Sequence, residues 1–337
     1  MAPLCSIVIL TNDSLGVVNR LIETLMAQDF PFLCEFIFMD NASQDGTVDY
    51  LNTVPFPQKR IFNVPQGEFS HSRTRMRAAE EAQGELMVFF TDDILPIGAS
   101  FLRNLTAPVR EGNAAAAYGV CQIDPKRHDP IDAFLHNRWY ETYDATVEPL
   151  SRFCWEHLTP DMRRRLSNFD NCASCIRRDI LLRLRFSDVP YGEDMLFAKK
   201  LILSGQAVSM AKEARFFHWH KVRFSYMLKR MCIDSDIAVR EFGARYARSL
   251  AGVAKAVLLR IVHRAYIGFF RVRMPLWKKI YWSLYNAKIL TADFFGKYLG
   301  TLNDDIRKKK FAPLRKRLLK MKVGLIDEIG RRSIKRY

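Results

Sequence analysis

Several short stretches carry residues of types and spacings that can do chemistry. Asp92 and Asp93 stand side by side one residue, Thr91, after the apolar run ELMVFF (85–90), and Pro96 follows shortly. Asp40 and Asn41 close and follow the run CEFIFMD (34–40), and Thr11 and Asn12 follow CSIVIL (5–10). Further on, YGEDMLFAKKL (191–201) pairs Glu193 with Asp194, and ARFFHWHK (214–221) sets His218 and His220 on either side of Trp219. Carboxylates are hard oxygen donors suited to Mg2+ or Mn2+, and imidazole is a common partner for a cation. The chain has no G-x-G-x-x-G after its first apolar run and no G-x-x-x-x-G-K-[ST] anywhere. A phosphate group would therefore be held not by a glycine-rich cradle but by a divalent cation gripped by carboxylates, with Asp92 and Asp93 as the platform.

The elements that must position these residues alternate. The runs 5–10, 34–40 and 85–90 have the composition of buried strands, while 15–28, 47–54 and 72–83 have helical spacing, the last stopped by Gly84. This order predicts a mostly parallel, doubly wound α/β sheet with helices on both faces. Ligands of such sheets sit outside the carboxyl ends of the strands. Asp and Asn are also ordinary turn formers and helix caps, so one such turn would say little. Three at one sheet edge, two of them acid-rich, point to a site. Glu193 and Asp194 fall at a helix start, where the macrodipole favours carboxylates. His218 and His220 lie on one face of a strand-like stretch, with Trp219 opposite.

A chain of 337 residues, 49% of them hydrophobic, can bury at least one full core with an appendage. Charge is uneven: residues 221–337 carry a balance of +21 and residues 1–220 one of −5, which sets a boundary just after His220. The seven scattered cysteines suit a reducing compartment and read as structural; the C-x-x-C at Cys172 and Cys175 lacks a second pair at zinc spacing. The N-terminus has no charged region before its apolar run and does not read as a signal peptide. AGVAKAVLLRIVHRAYIGFF (251–270) is interrupted by Lys255, Arg260, His263 and Arg264, which makes it a poor membrane span.

Taken in order, SIVILTND, FIFMDNASQDGT, FFTDDILP and YGEDMLFAKKLILSG resemble the inverting family-2 glycosyltransferases of the GT-A fold. GEFSHSRTRMRAAEEAQGELMVFFTDDILP is similar to bacterial rhamnosyltransferase-like members, whose pattern runs close to F-x-H-x-x-T-R-N, a helix, then F-L-T-Q-D-A-x-P. The resemblance spans residues 4–225 and implies a Rossmann-like mixed sheet over residues 1–221 and a basic α-helical extension over 222–337. It implies that Thr11, Asn12, Asp40 and Asn41 contact the base and ribose of a nucleotide-sugar donor. Asp93 and His218 would bind the cation, Asp92 would face the donor sugar or share the cation, and Arg75 would lie near the diphosphate or the sugar. Asn171, in FDNCASCIRRDIL, would line the acceptor side with Trp219 and His220. Met76 and Asp92 depart from the asparagine and glutamine common at those places, and these departures bear on the donor sugar. Inverting transfer to a hydroxyl needs a base within hydrogen-bond reach and a counter-charge for the departing diphosphate. The resemblance gives the base role to Asp194, with Glu193 beside it, and the counter-charge to Asp93 with its cation.

The expected activity is transfer of a sugar, with L-rhamnose from dTDP-rhamnose favoured over a UDP- or GDP-sugar, onto a glycan or lipid-linked glycan of a bacterial surface polysaccharide such as O-antigen or capsule. Residues 222–337 read as basic helices striped with Trp277, Tyr281, Trp282, Tyr285, Phe294, Phe295 and Tyr298. Helices of this kind lie on anionic membrane surfaces, which places the expected protein at the inner face of the plasma membrane, on the cytoplasmic side, with a homo-oligomer contact as another use of the region. The rival class is a non-catalytic protein whose basic helices hold nucleic acid or membrane. No helix-turn-helix, zinc-finger or RNA-recognition signature supports the nucleic-acid form.

Overall fold

Every residue of β1 (Cys5–Thr11) and β2 (Cys34–Asp40) is buried. Strands covered on both faces read as nearly unbroken apolar runs instead of alternating ones, which is the pattern of a parallel interior. The computed structural model describes residues 4–142, 146–189, 191–246 and 249–307. After β1 the chain runs through α1 (Leu15–Met26), β2, α2 (Thr47–Thr53), β3 (Lys59–Asn63), α3 (His71–Glu81), β4 (Leu86–Thr91), β5 (Leu95–Pro96), α4 (Phe101–Arg110) and β6 (Ala116–Gln122). Then come α5 (Pro130–Glu141), β7 (Thr146–Val147), α6 (Arg152–His157), α7 (Pro160–Leu166), β8 (Ala173–Arg177), α8 (Arg178–Leu184), α9 (Glu193–Leu203) and β9 (Val208–Phe217). Three helices, α10 (Phe224–Ile237), α11 (Leu250–Tyr266) and α12 (Leu276–Arg307), complete the described chain. Two discontinuous units result: residues 1–122, 143–158 and 166–218 form one, and residues 123–142, 159–165 and 219–337 the other.

The first unit is built on one nine-stranded sheet in the order β3-β2-β1-β4-β8-β6-β9-β5, with β7 also paired to β9. Strands β1 to β4 are mutually parallel where they pair, β8 is antiparallel to both β4 and β6, and β9 is parallel to β6. This is the expected Rossmann-like mixed sheet of the GT-A type. From β1 the chain moves out to β2 and β3 on one side and returns to β4 on the other, so the strand order reverses at β1. The crevice at such a reversal lies at the carboxyl ends of the two central strands. Asn12 and Asp92 are the residues that emerge there. Glycine permits two close approaches: a Cβ on Gly84 would stand 2.6 Å from the Ser6 nitrogen, and one on Gly119 would stand 2.9 Å from the Ala214 carbonyl. Gly119 sits where the β6–β9 register shifts, so its missing side chain makes room for the bulge.

In the second unit α12 packs along α10. Cβ atoms on Gly296 and Gly300 would fall 2.4 Å from the Leu228 carbonyl oxygen and 2.3 Å from that of Cys232, so the four-residue glycine spacing lets two backbones meet directly. Helix α10 runs into a single π-helical turn (Ala238–Phe242) that stops at Gly243, whose φ of 74° is left-handed. A buried polar knot ties α5 to α11 and α12: Asn286 Nδ2 donates to Asp129 at 2.7 Å and Arg264 meets Asp132 at 2.8 Å. Trp219 donates its indole N–H to the same Asp132 at 3.4 Å and packs against His128. The part of the expected basic helical region 222–337 that follows Arg307 lies outside the described residues. Among the described residues, no helix is long and apolar enough to cross a membrane.

Candidate active site

The site starts where β1 and β2 end. Thr11 donates its hydroxyl to Asp40 at 2.8 Å, and Asp40 also accepts from the Ser43 amide at 2.9 Å and hydroxyl at 2.6 Å. Asn12 Nδ2 donates to the Asn41 carbonyl at 2.8 Å. The two turns are cross-tied: the Asp13 amide donates to Ser43, the Gln44 amide to Asp13, and the Leu15 amide to Asp45, each at 2.8 to 2.9 Å. Asp13 and Ala42 hold left-handed backbone, with φ of 44° and 50°, conformations that the surrounding bonds must stabilise. Within this frame the Asn41 side chain is buried, and both its Oδ1 and its Nδ2 lack a partner, as does Asn12 Oδ1. Buried amides without partners carry a desolvation cost of about 1–3 kcal/mol each, which a bound polar group would relieve. The geometry at the ends of β1 and β2 therefore suits a ligand with both donors and acceptors, such as a nucleobase or ribose.

Asp92, at the end of β4, turns toward this frame. It accepts from the Ser14 hydroxyl and, at 3.4 Å, from the Asn12 amide. Its neighbour Asp93 turns instead to His218, whose Nε2 lies 3.4 Å from the Asp93 carboxylate. The strand β9 ends at Phe217, so His218 is not part of a continuous strand as its sequence pattern suggests; its amide donates to Gln122 at 3.1 Å at the end of β6. Burial by itself would push the His218 imidazole down, but the Asp93 carboxylate holds it well above the ordinary histidine value. Asp93 and His218 belong to a group able to hold a metal ion. A carboxylate oxygen suits Mn2+ or Mg2+, and the imidazole beside it is a ligand type that first-row divalent ions accept.

A second cluster forms at the start of α9. Gly192 takes a left-handed φ of 78° and turns the chain so that Glu193 and Asp194 occupy the first helical turn, as the sequence predicts. Glu193 forms a buried ion pair with Arg75 of α3 at 2.7 Å, and Arg75 also reaches the Asn171 carbonyl at 3.4 Å. The Glu193 carboxylate is thus already engaged, while Asp194 has only the Met195 amide, at 2.7 Å, as a resolved hydrogen-bond donor. Burial, then the charges of Glu193 and Asp170, push the Asp194 carboxyl up to about 7. A carboxylate poised near neutrality is what general-base work at physiological pH requires. Asn171 is buried, with Oδ1 accepting from Ser174 at 3.0 Å and Nδ2 unpartnered. His71 opens α3 with its Nδ1 unpartnered, and burial followed by the Arg75 charge pushes it down to about 4, so it is neutral.

Sequence reasoning assigned no role to Asp170, His71 or Ser14. Asp170 stands beside Asn171 in a motif that was read for the asparagine, and His71 falls within the quoted F-x-H pattern. Ser14 has no signal beyond its place in the turn, whereas Ser43 stands among the polar residues after the second strand. Trp219 and His220, assigned to the acceptor, belong to the second unit. All seven cysteines are free, and burial pushes the Cys172 and Cys175 thiols up, so they stay protonated and unreactive.

Comparison with known proteins fits this arrangement. One curated relative, the O-antigen chain rhamnosyltransferase RfbN of Salmonella typhimurium, is 24% identical over 192 residues, covering 55% of this chain. The match spans 57% of that relative's own length. The mannosyltransferase PcManGT of Pyrobaculum calidifontis, solved with GDP-Man and Mn2+, shares the fold at a TM-score of 0.58, with 16% identity over 90% of this chain and 88% of its own. TarS 1–349 of S. aureus, solved with UDP-GlcNAc, superposes at a TM-score of 0.50 with 16% identity, over 89% of this chain and 92% of its own. The model of glycosyl transferase family 2 matches residues 6–179, more than half of the sequence and all of the site from Thr11 to Asn171, and the chain belongs to that family.

Proposed function

We propose that the chain is a metal-dependent inverting glycosyltransferase that moves a sugar from a nucleoside diphosphate to a hydroxyl of a glycan. The observation that carries this reading is the pairing of Asp93 with His218 at the carboxyl edge of the same sheet whose β1 and β2 ends hold the unpartnered Asn41 amide. Asn12, Asn41, Thr11 and Asp40 would take the base and ribose, and Asp92 the donor sugar. Asp93 and His218 would hold the cation. Bound there, the cation would supply counter-charge to the departing diphosphate. Asp194 would take the proton of the acceptor hydroxyl, and its nearly neutral poise suits that step. Arg75 and Glu193 fix one another and hold the start of α9, and Asn171 would face the acceptor.

The name of the Salmonella relative supports rhamnose as the sugar and a bacterial surface polysaccharide as the product; on this reading the donor is dTDP-L-rhamnose and the acceptor a lipid-linked glycan at the cytoplasmic face of the membrane. The basic second unit supports an anionic membrane surface as partner. A thermal-shift panel of dTDP-rhamnose, UDP-sugars and GDP-sugars, with and without Mn2+, tests this on the wild type and Asp93→Ala. A ligand at a hundredfold over its dissociation constant adds about 2.7 kcal/mol to the folded state. The expected result is stabilisation by one donor only with Mn2+ and only in the wild type. A UDP- or GDP-sugar in that role would replace the rhamnose assignment, and no response to any donor would remove the transferase reading.

A further inference from the structure

Residues 250–288 hold eight Lys and Arg and no Asp or Glu. They form α11, a π-helical turn (Ile267–Arg271) and the first turns of α12, and α11 packs against α12 as a hairpin. Both helices leave apolar side chains exposed at helical spacing. On α11 these are Leu258, Leu259, Val262 and Tyr266; on α12 they are Leu276, Trp277, Ile280 and Leu284. At the bend, Phe270 is 76% exposed and Trp277 65% exposed. Lysines attend them: Lys278 stands 5.4 Å from the Trp277 ring, and Lys279 donates to the Phe269 carbonyl at 2.7 Å. Trp282 and Tyr285, by contrast, are taken up within the unit, by Trp219 and by the Val222 amide.

We infer that the tip of this hairpin, Phe269–Lys279, is the part of the chain that enters an anionic lipid surface, with Phe270, Leu276 and Trp277 seated among the acyl chains and Arg271, Arg273, Lys278 and Lys279 at the headgroups. The inference rests on the reading of the second unit as a membrane contact and says which face makes it. Charge selects the occupant. A second copy meeting this face with its own would bring Arg271, Arg273, Lys278 and Lys279 against the same four, with no acid in residues 250–288 to pair them, and repulsion would oppose it. A nucleic acid would answer the charge but leave the exposed Phe, Leu and Trp uncovered, whereas aromatic and basic residues interleaved are what a lipid interface accepts. The arrangement needs no span, because such a face sinks only into the boundary between headgroups and acyl chains.

Co-sedimentation of the full chain with vesicles of phosphatidylglycerol and phosphatidylcholine, against phosphatidylcholine alone, tests it. The wild type should pellet with the anionic vesicles and be released by salt. The Phe270→Ser/Trp277→Ser double variant should lose at least tenfold in binding. Arg271→Glu/Lys278→Glu should lose at least about fivefold per residue, the share of one basic side chain at such a surface. Phe153→Ser, at an exposed phenylalanine of the first unit, should bind as the wild type does. Quenching of Trp277 by brominated lipid should disappear in Trp277→Phe. If the wild type ignores anionic vesicles, the membrane reading itself falls. Should the wild type bind and both double variants bind equally well, that reading stands and the hairpin tip is the wrong surface. Loss of single-stranded RNA binding or of a dimer in the variants, with vesicle binding intact, would also overturn the assignment.

Discussion

Arg75 and Glu193 sit 118 positions apart in the chain and meet as a buried ion pair at 2.7 Å, with side chains only 3% and 9% exposed. Arg75→Met keeps much of the side-chain volume but strands the Glu193 carboxylate in a dry site. Two unit charges about 4 Å apart at an effective dielectric of about 20 interact by about 4 kcal/mol, in line with the 3–5 kcal/mol typical of removing one partner of a buried pair. Glu193→Gln strands the guanidinium instead, whose only other acceptor in the pair's surroundings is the Asn171 carbonyl at 3.4 Å. Each single variant should therefore destabilise the first unit by about 3–5 kcal/mol. The Arg75→Met/Glu193→Gln double variant removes both charges and should recover most of that loss, since neutral replacements of buried pairs are often tolerated. Hydrogen exchange of α3 and α9 amides reads the stability, and donor titration reads the site. If Arg75 also touches the donor, the double variant will be stable yet retain a raised KM for donor. Single variants costing less than about 1 kcal/mol, or a double variant no better than the sum of the singles, would refute the account of the pair.

Asp194→Asn should lower turnover by about 10²–10⁴-fold while leaving donor binding intact, and near-normal turnover at saturating donor and acceptor would remove Asp194 as the base. In the wild type, kcat/KM should rise with pH through about 7, where Asp194 ionises. The linkage has the opposite sign for stability: the folded state keeps the proton to about 7 while the unfolded chain releases it near 4, so stability falls as pH rises between them. Asp194→Asn, which never ionises, should consequently be more stable than the wild type at pH 8, as urea unfolding at pH 5 and pH 8 will show. In the second unit, Gly300→Ala gains about 1 kcal/mol in helix propensity but drives a Cβ to 2.3 Å from the Cys232 oxygen, an overpacking cost of about 1–3 kcal/mol or more. A net loss in melting temperature is expected; an increase would mean that α10 and α12 move apart freely.

Much of the frame was legible because β1, β2 and β4 are buried runs that admit no other reading, and because Gly192 with two acids marks the start of α9 without ambiguity. The edge strand β3 was not, since Lys59 and Arg60 break its apolar pattern in the way that guards an open sheet edge. Alternation in FFHWH continues past Phe217 although the pairing stops there, because side chains alternate in any extended chain whether or not it is paired. The acids were visible one by one, but their division of labour was not. That Glu193 is committed to Arg75 while Asp194 is left to titrate depends on a contact across 118 positions, and the charge of Asp170 on Asp194 depends on β8 lying beside β4.

The reciprocal bonds between the Asp13 and Ser43 turns have a consequence for how this molecule can change. Loops that order only when a ligand arrives spend part of the binding energy on their own immobilisation. Here the two turns immobilise each other beforehand, each supplying an acceptor for a backbone amide of the other. The slot between them behaves as a mould, with its width set before any nucleotide enters. On the proposed assignment of Asn12, Asn41 and Asp92 to the donor, a different base or sugar would be accommodated by exchanging those side chains and not by loop adjustment. Diversification of donor choice on this scaffold should accordingly proceed in single discrete substitutions, each visible as a switch and not as a gradual broadening.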